Sequence, residues 1–421
     1  MNSENKMGTE PIRKILLKMG IPMIISMIMQ ALYNIVDSAF ISNMAANGED
    51  ALNALTLAFP VQMLMVAISI GTGVGAGALL SLNLGMGNKD KVNRIAGNTN
   101  FLCAVIYAVY LLFGIFGVKA YIGSQTSNPL ISGMAIDYLR ICCICSVGIV
   151  FFSGFEKMLQ STGRTVYSTI AQLSGAVTNI VLDPILIYGW LGLPAMGVRG
   201  AAYATVIGQL VSMGMALVFH LTKNVEIKNR ISYMKPQINL IKEIYSIGLP
   251  AIIAQALMSI MTYALNLILG RISESAVTAY GLFYKIQQFI LFAAFGMRDA
   301  ITPVISYNYG TGDISRVSDG IKWGLVYTCG IMAIGMVILQ FFGSPIASVF
   351  GLSGETASLC LSAMRIISLS FIFAGANVAF QGIFQALGHG VYSLIISVFR
   401  QFLFIVPPAF LLSLIAIKKH R

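Results

Sequence analysis

The segment Ser81-Leu-Asn83-Leu-Gly85-Met-Gly87-Asn88 returns, altered, as Ser306-Tyr-Asn308-Tyr-Gly310-Thr-Gly312-Asp313, 225 residues further along. Phe155 to Ile170 returns at the same offset as Phe380 to Ile395, keeping Gln160 as Gln385, Gly163 as Gly388 and Tyr167 as Tyr392. Arg140 maps onto Arg365 by the same shift. The chain is therefore two homologous halves, and whatever one half folds into, the other must fold into as well.

Composition decides the solvent. The 421 residues are 57% hydrophobic and only 10% charged, against about 25% charged in soluble domains. This is an all-α, polytopic membrane protein, with spans of about 20 residues and short loops. Within a membrane, an internal repeat is a signature of a transporter that rocks one half against the other. Apolar runs predict helices near 12–42, 51–84, 95–117, 130–156, 166–188 and 198–221, then near 244–269, 276–302, 320–342, 357–386 and 391–417. Gly20-Ile-Pro22 aligns with Gly248-Leu-Pro250 at an offset of 228, so helices one and seven correspond.

Two pseudo-symmetric bundles follow: an N-lobe (1–221), a basic cytoplasmic linker (222–243) and a C-lobe (244–421). The amphipathic stretch Ile238 to Tyr245 is expected to lie on the cytoplasmic surface. Helix six would map beyond residue 421, so the expected count is six plus five spans, with the twelfth helix missing. Lys418-Lys419-His420-Arg421 would then end outside, as in a truncated or frame-shifted reading of a twelve-span parent.

The net charge of +11 invites a nucleic-acid reading, but its placement argues otherwise. Basic residues such as Arg13, Lys14, Lys18, Lys89, Lys91, Arg94, Lys157, Arg164 and the run from Lys223 to Lys242 fall in alternate loops. The opposite loops hold only Lys119, Arg199 and Arg271. By the positive-inside rule the N-terminus lies in the cytoplasm. The first helix is too long for a cleaved signal peptide, so it is read as a retained span. Cys142, Cys143 and Cys145 lack the His or carboxylate pattern that would complete a metal site, and read as packing. No zinc-enzyme His-Glu pattern, Gly-x-Ser-x-Gly turn or phosphate loop appears, so an enzyme is not expected, nor an organic cofactor. The lipid bilayer is an expected partner, with the chain a monomer in the cell membrane.

Most acidic residues sit in loops or near helix ends, and Asp37 and Asp183 are the clearest deep ones. A charge at a helix centre costs roughly 2.5–3.5 kcal/mol on insertion scales, so such residues are functional candidates. Asn179 lies one turn before Asp183 on the same face. Pro184 frees the carbonyl of Ile180. Acid, amide and carbonyl together form an oxygen-rich patch that could hold H⁺ or Na⁺. In helix one, Gln30, Tyr33, Asn34 and Asp37 form a polar stripe above Pro22, whose ring permits a bend. The bland alternative is a polar helix–helix contact. Gln62 and Met63 stand near these stripes, and flexible thioethers suit a permissive apolar cavity. Arg140 and Arg365, being duplicated, read as fold anchors. Lys285, Arg298 and Arg400 have no charged counterpart in the first half; Lys285 is expected to face the second-half helices without an acidic partner.

With these residues in place, the chain resembles the MATE family of multidrug and toxin extrusion transporters, closest to the bacterial branch of MepA-like pumps. The resemblance runs along essentially the whole chain. Gly20-Ile-Pro22, Val36-Asp37-Ser38, Gly85-Met-Gly87-Asn88, Gln160-Ser-Thr-Gly163-Arg164, Asn179-Ile-Val-Leu-Asp183-Pro184 and Gly200-Ala-Ala-Tyr-Ala-Thr205 carry it. It implies two lobes around a V-shaped cavity and export of cationic or lipophilic compounds, small-molecule organic cations being the expected partners, in exchange for H⁺ or Na⁺. It also implies a coupling-ion site at Asp37, Asn179, Asp183 and Thr205, a cavity at Gln30, Tyr33, Asn34, Gln62 and Met63, and hinges at Pro22 and Pro184. Some relatives carry acids in helices seven and ten; Leu249 to Met258 and Phe373 to Phe380 hold none. Alternatives are a lipid-linked oligosaccharide or lipid flippase of the same superfamily, or a truncated, non-transporting membrane protein.

Overall fold

The computed structural model describes residues 5–44, 48–349 and 354–419. Every regular element among these residues is helical: α1 (Lys6–Thr9), α2 (Ile12–Ser42), α3 (Gly48–Gly85), α4 (Lys89–Leu112), α5 (Val118–Gly123), α6 (Pro129–Ile144), α7 (Val147–Ser161), α8 (Thr165–Tyr188) and α9 (Val198–Lys223) in the first half. The second half holds α10 (Ile238–Gly270), α11 (Glu274–Thr311), α12 (Ile314–Val349), α13 (Gly354–Ser368), α14 (Phe371–Ala386), α15 (Gly390–Val398) and α16 (Val406–Lys419). Nine helices are long and apolar enough to cross a membrane, or eleven spans if each bent pair is one, among the described residues. The protein is a polytopic, all-α membrane protein. Of the basic C-terminal end, His420 and Arg421 lie outside the described residues.

The structure departs from the predicted helices in three places. The fourth and tenth spans are each broken in two, α6 to α7 by 44° and α13 to α14 by 56°. The breaks fall at Cys145-Ser146 and at Leu369-Ser370, one residue out of register, since the 225-residue offset pairs Cys145 with Ser370. The third and eleventh spans instead run through π-helical turns, Phe113–Gly117 and Phe399–Leu403. The stretch Ile238 to Tyr245 does not lie on a surface of its own. It is the first two turns of α10, which runs on without a break through Gly248 and Pro250. Leu240 and Ile244 bury into the core beneath α3 and α4, and Glu243 pairs with Lys91 at 2.8 Å. The connection between halves shortens accordingly.

The repeat is visible atom by atom. Ser81 Oγ donates to the Ser161 carbonyl and its counterpart Ser306 Oγ to the Ala386 carbonyl, each at 2.8 Å. Asn88 caps the amide of Lys91, and Asp313 caps that of Arg316. Gly163 and Gly388 end α7 and α14 with φ of 83° and 81°, a conformation that glycine adopts without steric cost.

The halves meet on the side where the N-terminus enters. A Cβ at Gly85 would strike the Tyr307 carbonyl, and one at Gly310 would strike the Leu82 carbonyl, so each half presses a glycine against the other's backbone. Ser306 Oγ also donates to the Ala78 carbonyl across this seam at 2.8 Å. Residues 5–10 strap it from outside. Asn5 Nδ2 donates to the Thr162 carbonyl at 3.1 Å in the first half. In the second half, Asn308 and Arg316 both donate to the Met7 carbonyl, at 3.0 and 2.8 Å.

Candidate functional site

Away from that seam, α2, α3, α7, α8 and α9 of the first half line a narrow, partly open cleft. Gln30 and Tyr33 of α2, Glu156 of α7, Asn179 of α8, and Thr205 and Gln209 of α9 line it. Polar side chains at helical spacing on an otherwise apolar α2 turn Gln30 and Tyr33 to one face. Asn179 links the cleft to the acid below it: its Nδ2 donates to Asp183 Oδ1 at 3.3 Å. Asp183 is fully buried and Asp37 is 9% exposed. The two carboxyls are near enough to act on one another electrostatically. Asp37 Oδ1, Asn179 Oδ1 and Asp183 Oδ2 are buried with no hydrogen-bond partner among the described residues. Buried oxygens are rarely left so, and hard oxygen donors are what a proton or Na⁺ takes. Tyr188 Oη donates to the Phe40 carbonyl at 2.6 Å and ties α8 to α2 one turn beyond the acids.

The remaining candidates fall elsewhere. Gln62 donates weakly to Tyr138 Oη at 3.4 Å and to Cys142 Sγ at 3.5 Å, so it faces α6 rather than the cleft. Met63 is half-buried and outside the cleft lining. Asn34 lies on α2, and its side chain is outside the described residues. Pro22 and Pro184 sit inside unbroken helices, α2 and α8. Lys285 does not face the second-half helices but is exposed on α11. Ala279, Phe283 and Leu291 of that helix carry the buried face, and the two steps from Phe283 to Lys285 turn a side chain by about 200°.

Two acids and a cation escape a reading by sequence alone. Lys157, read as a loop cation, is 7% exposed inside α7. Its Nζ lies 2.6 Å from Asp299 Oδ2 of α11 and 2.9 Å from Gln160 Oε1. Arg298 holds the other oxygen of Asp299 at 2.7 Å. Glu156 accepts from Gln160 at 3.0 Å and faces the cleft. The only sequence signal was an acid and a base as neighbours at 156–157 and again at 298–299, each inside an apolar stretch.

A model of the MatE family matches residues 22–185 and 250–411, one copy in each half. The chain belongs to the MatE family. It is 24% identical over 394 residues to the multidrug export protein MepA of Staphylococcus saprophyticus, spanning 94% of this chain and 86% of that protein. To MepA of Staphylococcus haemolyticus it is 25% identical over 400 residues, with 95% and 87% covered. Among solved structures it resembles an outward-facing multidrug-resistance MATE transporter of the MOP superfamily, with TM-score 0.89, 24% identity and coverage of 96% and 89%. It resembles a MATE structure in a straight conformation with TM-score 0.90, 24% identity and coverage of 97% and 90%. For one in a bent conformation the values are 0.86, 23%, 99% and 96%. The relatives named here are multidrug export proteins of the MATE family, and the cleft and its acids are one place where this member departs from a purely apolar bundle.

Proposed function

We propose that the protein exports cationic and lipophilic compounds by alternating access, exchanging them for H⁺ or Na⁺ at Asp37, Asn179, Asp183 and Thr205. The single observation that carries this reading is the cluster of three unpartnered buried oxygens on Asp37, Asn179 and Asp183, next to the cleft that Asn179 and Thr205 line. A cationic substrate in the cleft would meet Glu156 directly and the paired acids through Asn179. Loading the acids with H⁺ or Na⁺ cancels that attraction, which grows as the cleft is dry. The coupling ion and the drug then compete for one electrostatic resource, and an ion gradient drives the drug out. Bending of α2 at Pro22 and of α8 at Pro184 would narrow the cleft. The seam beside the N-terminus, taken as the cytoplasmic side of the plasma membrane, is closed in this structure, and the Lys157–Asp299 pair helps to hold it.

The test is Asp37→Asn and Asp183→Asn in cells lacking their own pumps, with expression matched. Each variant is expected to lose drug resistance. Full resistance in both would end the coupling proposal. Proteoliposomes with a Na⁺ or a pH gradient imposed separately identify the ion.

A further inference from the structure

One turn of α7 joins the cleft to the seam. Glu156 lines the cleft, and Lys157, the next residue, reaches across to Asp299 of α11. Gln160 stands four residues beyond the first and three beyond the second, so it is a helical neighbour of both. Its Nε2 donates to Glu156 Oε1 at 3.0 Å, and its Oε1 accepts from Lys157 Nζ at 2.9 Å. Lys157 Nζ also donates to Asp299 Oδ2 at 2.6 Å, and Arg298 holds Asp299 Oδ1 at 2.7 Å. The contacts run unbroken from the cleft wall into the second half. Gln160, Lys157 and Asp299 are 5%, 7% and 8% exposed, so the series is sheltered from water.

The Gln160 amide has one orientation that satisfies both neighbours. Turned over, it would set its N–H groups against the Lys157 ammonium and its oxygen against the Glu156 carboxylate. The bonded set also balances in charge. Two carboxylates, Glu156 and Asp299, face two cations, Lys157 and Arg298. A monovalent cation resting on Glu156 leaves one positive charge in excess, in a setting where an unmatched charge is costly. It also draws the Glu156 carboxylate away from the Gln160 N–H, which frees the amide to turn and deprives Lys157 of an acceptor. Parting Lys157 from Asp299 relieves the excess, because water can then reach the ammonium. The second half keeps the amide without this setting: Gln381, Gly382 and Gln385 stand where Glu156, Lys157 and Gln160 stand, and Gln385 donates to Ser393 Oγ at 3.2 Å.

We propose that Gln160 is a positioning residue that couples the cleft to the seam: a cation on Glu156 loosens the Lys157–Asp299 pair, and closure of that pair weakens the cleft's hold on the cation. The two effects are one coupling free energy read from its two ends, so they are equal in size. This coupling rests on the reading of the cleft as the drug's site, and it gives an exporter its direction. With the seam shut, the cation is held least.

The experiment traps seam opening in the purified full chain, with no ion gradient imposed. Ser306 is fully buried and bonds to the Ala78 carbonyl across the seam. A thiol placed there by Ser306→Cys, with the six native cysteines replaced by alanine, is alkylated only when the halves part. A saturating monocationic rhodamine ester is expected to raise the alkylation rate about tenfold, and an uncharged dye of similar size to leave it unchanged. Gln160→Met keeps the side chain's length and removes both hydrogen bonds. It should abolish the acceleration while fluorescence polarisation shows the dye still bound. In a second measurement Asp299→Asn should tighten binding of the cationic dye about tenfold, and in a Gln160→Met background by no more than about twofold. The sign is decisive, since the mere loss of a nearby negative charge would weaken binding. A dye that binds without speeding alkylation, one that speeds it equally in Gln160→Met, or weaker binding by a folded Asp299→Asn overturns the coupling and leaves the proposed export standing. The alkylation result stands by itself if Asp299→Asn does not fold. A cationic dye that does not bind the chain at all ends both readings.

Discussion

The two halves were built from one plan and have kept different parts of it. Turns, caps and the seam are alike: Ser81 and Ser306, Asn88 and Asp313, Gly85 and Gly310 make corresponding contacts. The polar interiors are not. Asp37 corresponds to Leu265, Asp183 to Pro408, Glu156 to Gln381 and Gly175 to Arg400. Contacts that hold two bundles together tolerate little change, since each glycine at the seam faces backbone. The cleft wall of the first half faces space, and its charge is not repeated: Gln381 and Arg400 stand where Glu156 and Gly175 line it.

The comparison breaks first if the acids prove dispensable. Asp37→Asn or Asp183→Asn should lower drug efflux from loaded, energised vesicles by more than tenfold, whereas Leu265→Asn should leave it within about twofold. Equal losses would mean that the halves share the work. Next comes the shared carboxylate. Removing one partner of a buried ion pair costs about 3–5 kcal/mol. Asp299→Asn strands two cations and should show the full loss as a lower melting temperature in detergent. Lys157→Met leaves Asp299 with Arg298 and should cost clearly less. The glycines opposite these cations give a smaller effect and a test of symmetry. A Cβ at Gly73 would sit 2.7 Å from Lys157 Cγ, and one at Gly382 would sit 2.7 Å from Arg298 Cγ. Gly73→Ala and Gly382→Ala should each destabilise by roughly 1–3 kcal/mol, as overpacking does. Unequal melting shifts would show that the halves have drifted in packing as well as in charge.

The smallest effect belongs to Glu10, just outside the first span. The hydrogen bond and charge of Lys18, 2.9 Å away, hold its carboxyl below the usual carboxylate value of 4.5. A lowered folded-state value means that its contribution is present above that pH and fades on acidification below it. The pair is partly exposed, so Glu10→Gln should cost no more than about 1 kcal/mol, and the difference from wild type in melting temperature should close as the pH is taken down towards 3.

Much of this was legible in the sequence because duplication supplies its own alignment. The offset paired Gly85 with Gly310 and Asn88 with Asp313, and showed the loss of acids in the second half, without any partner sequence. Asp37 and Asp183 stood out because a carboxyl inside an apolar run is costly to place in a membrane. Lys157, Glu156 and Asp299 did not, for a physical reason. Each lies at or near the end of a helix as predicted from sequence, at 156 and 302, where a charge normally reaches water, and only tertiary packing shows that α7 and α11 run on past them and what covers each one. The bends at Ser146 and Ser370 were hidden similarly, since apolar composition continues straight through them. The surface reading of Ile238 to Tyr245 failed because amphipathic spacing reports a buried face without saying what buries it.

Asp299 keeps Arg298 whether or not Lys157 is beside it. Any separation of the halves at the seam therefore leaves the Lys157 ammonium with only the neutral Gln160 amide oxygen of its own helix, and leaves no lone carboxylate. Water admitted there weakens the very attraction that excluded it, by about fourfold as the effective dielectric rises from near 20 to 80. The seam gives way abruptly once wetted and reseals abruptly once dried, so a continuous motion of two helix bundles acquires the character of a latch.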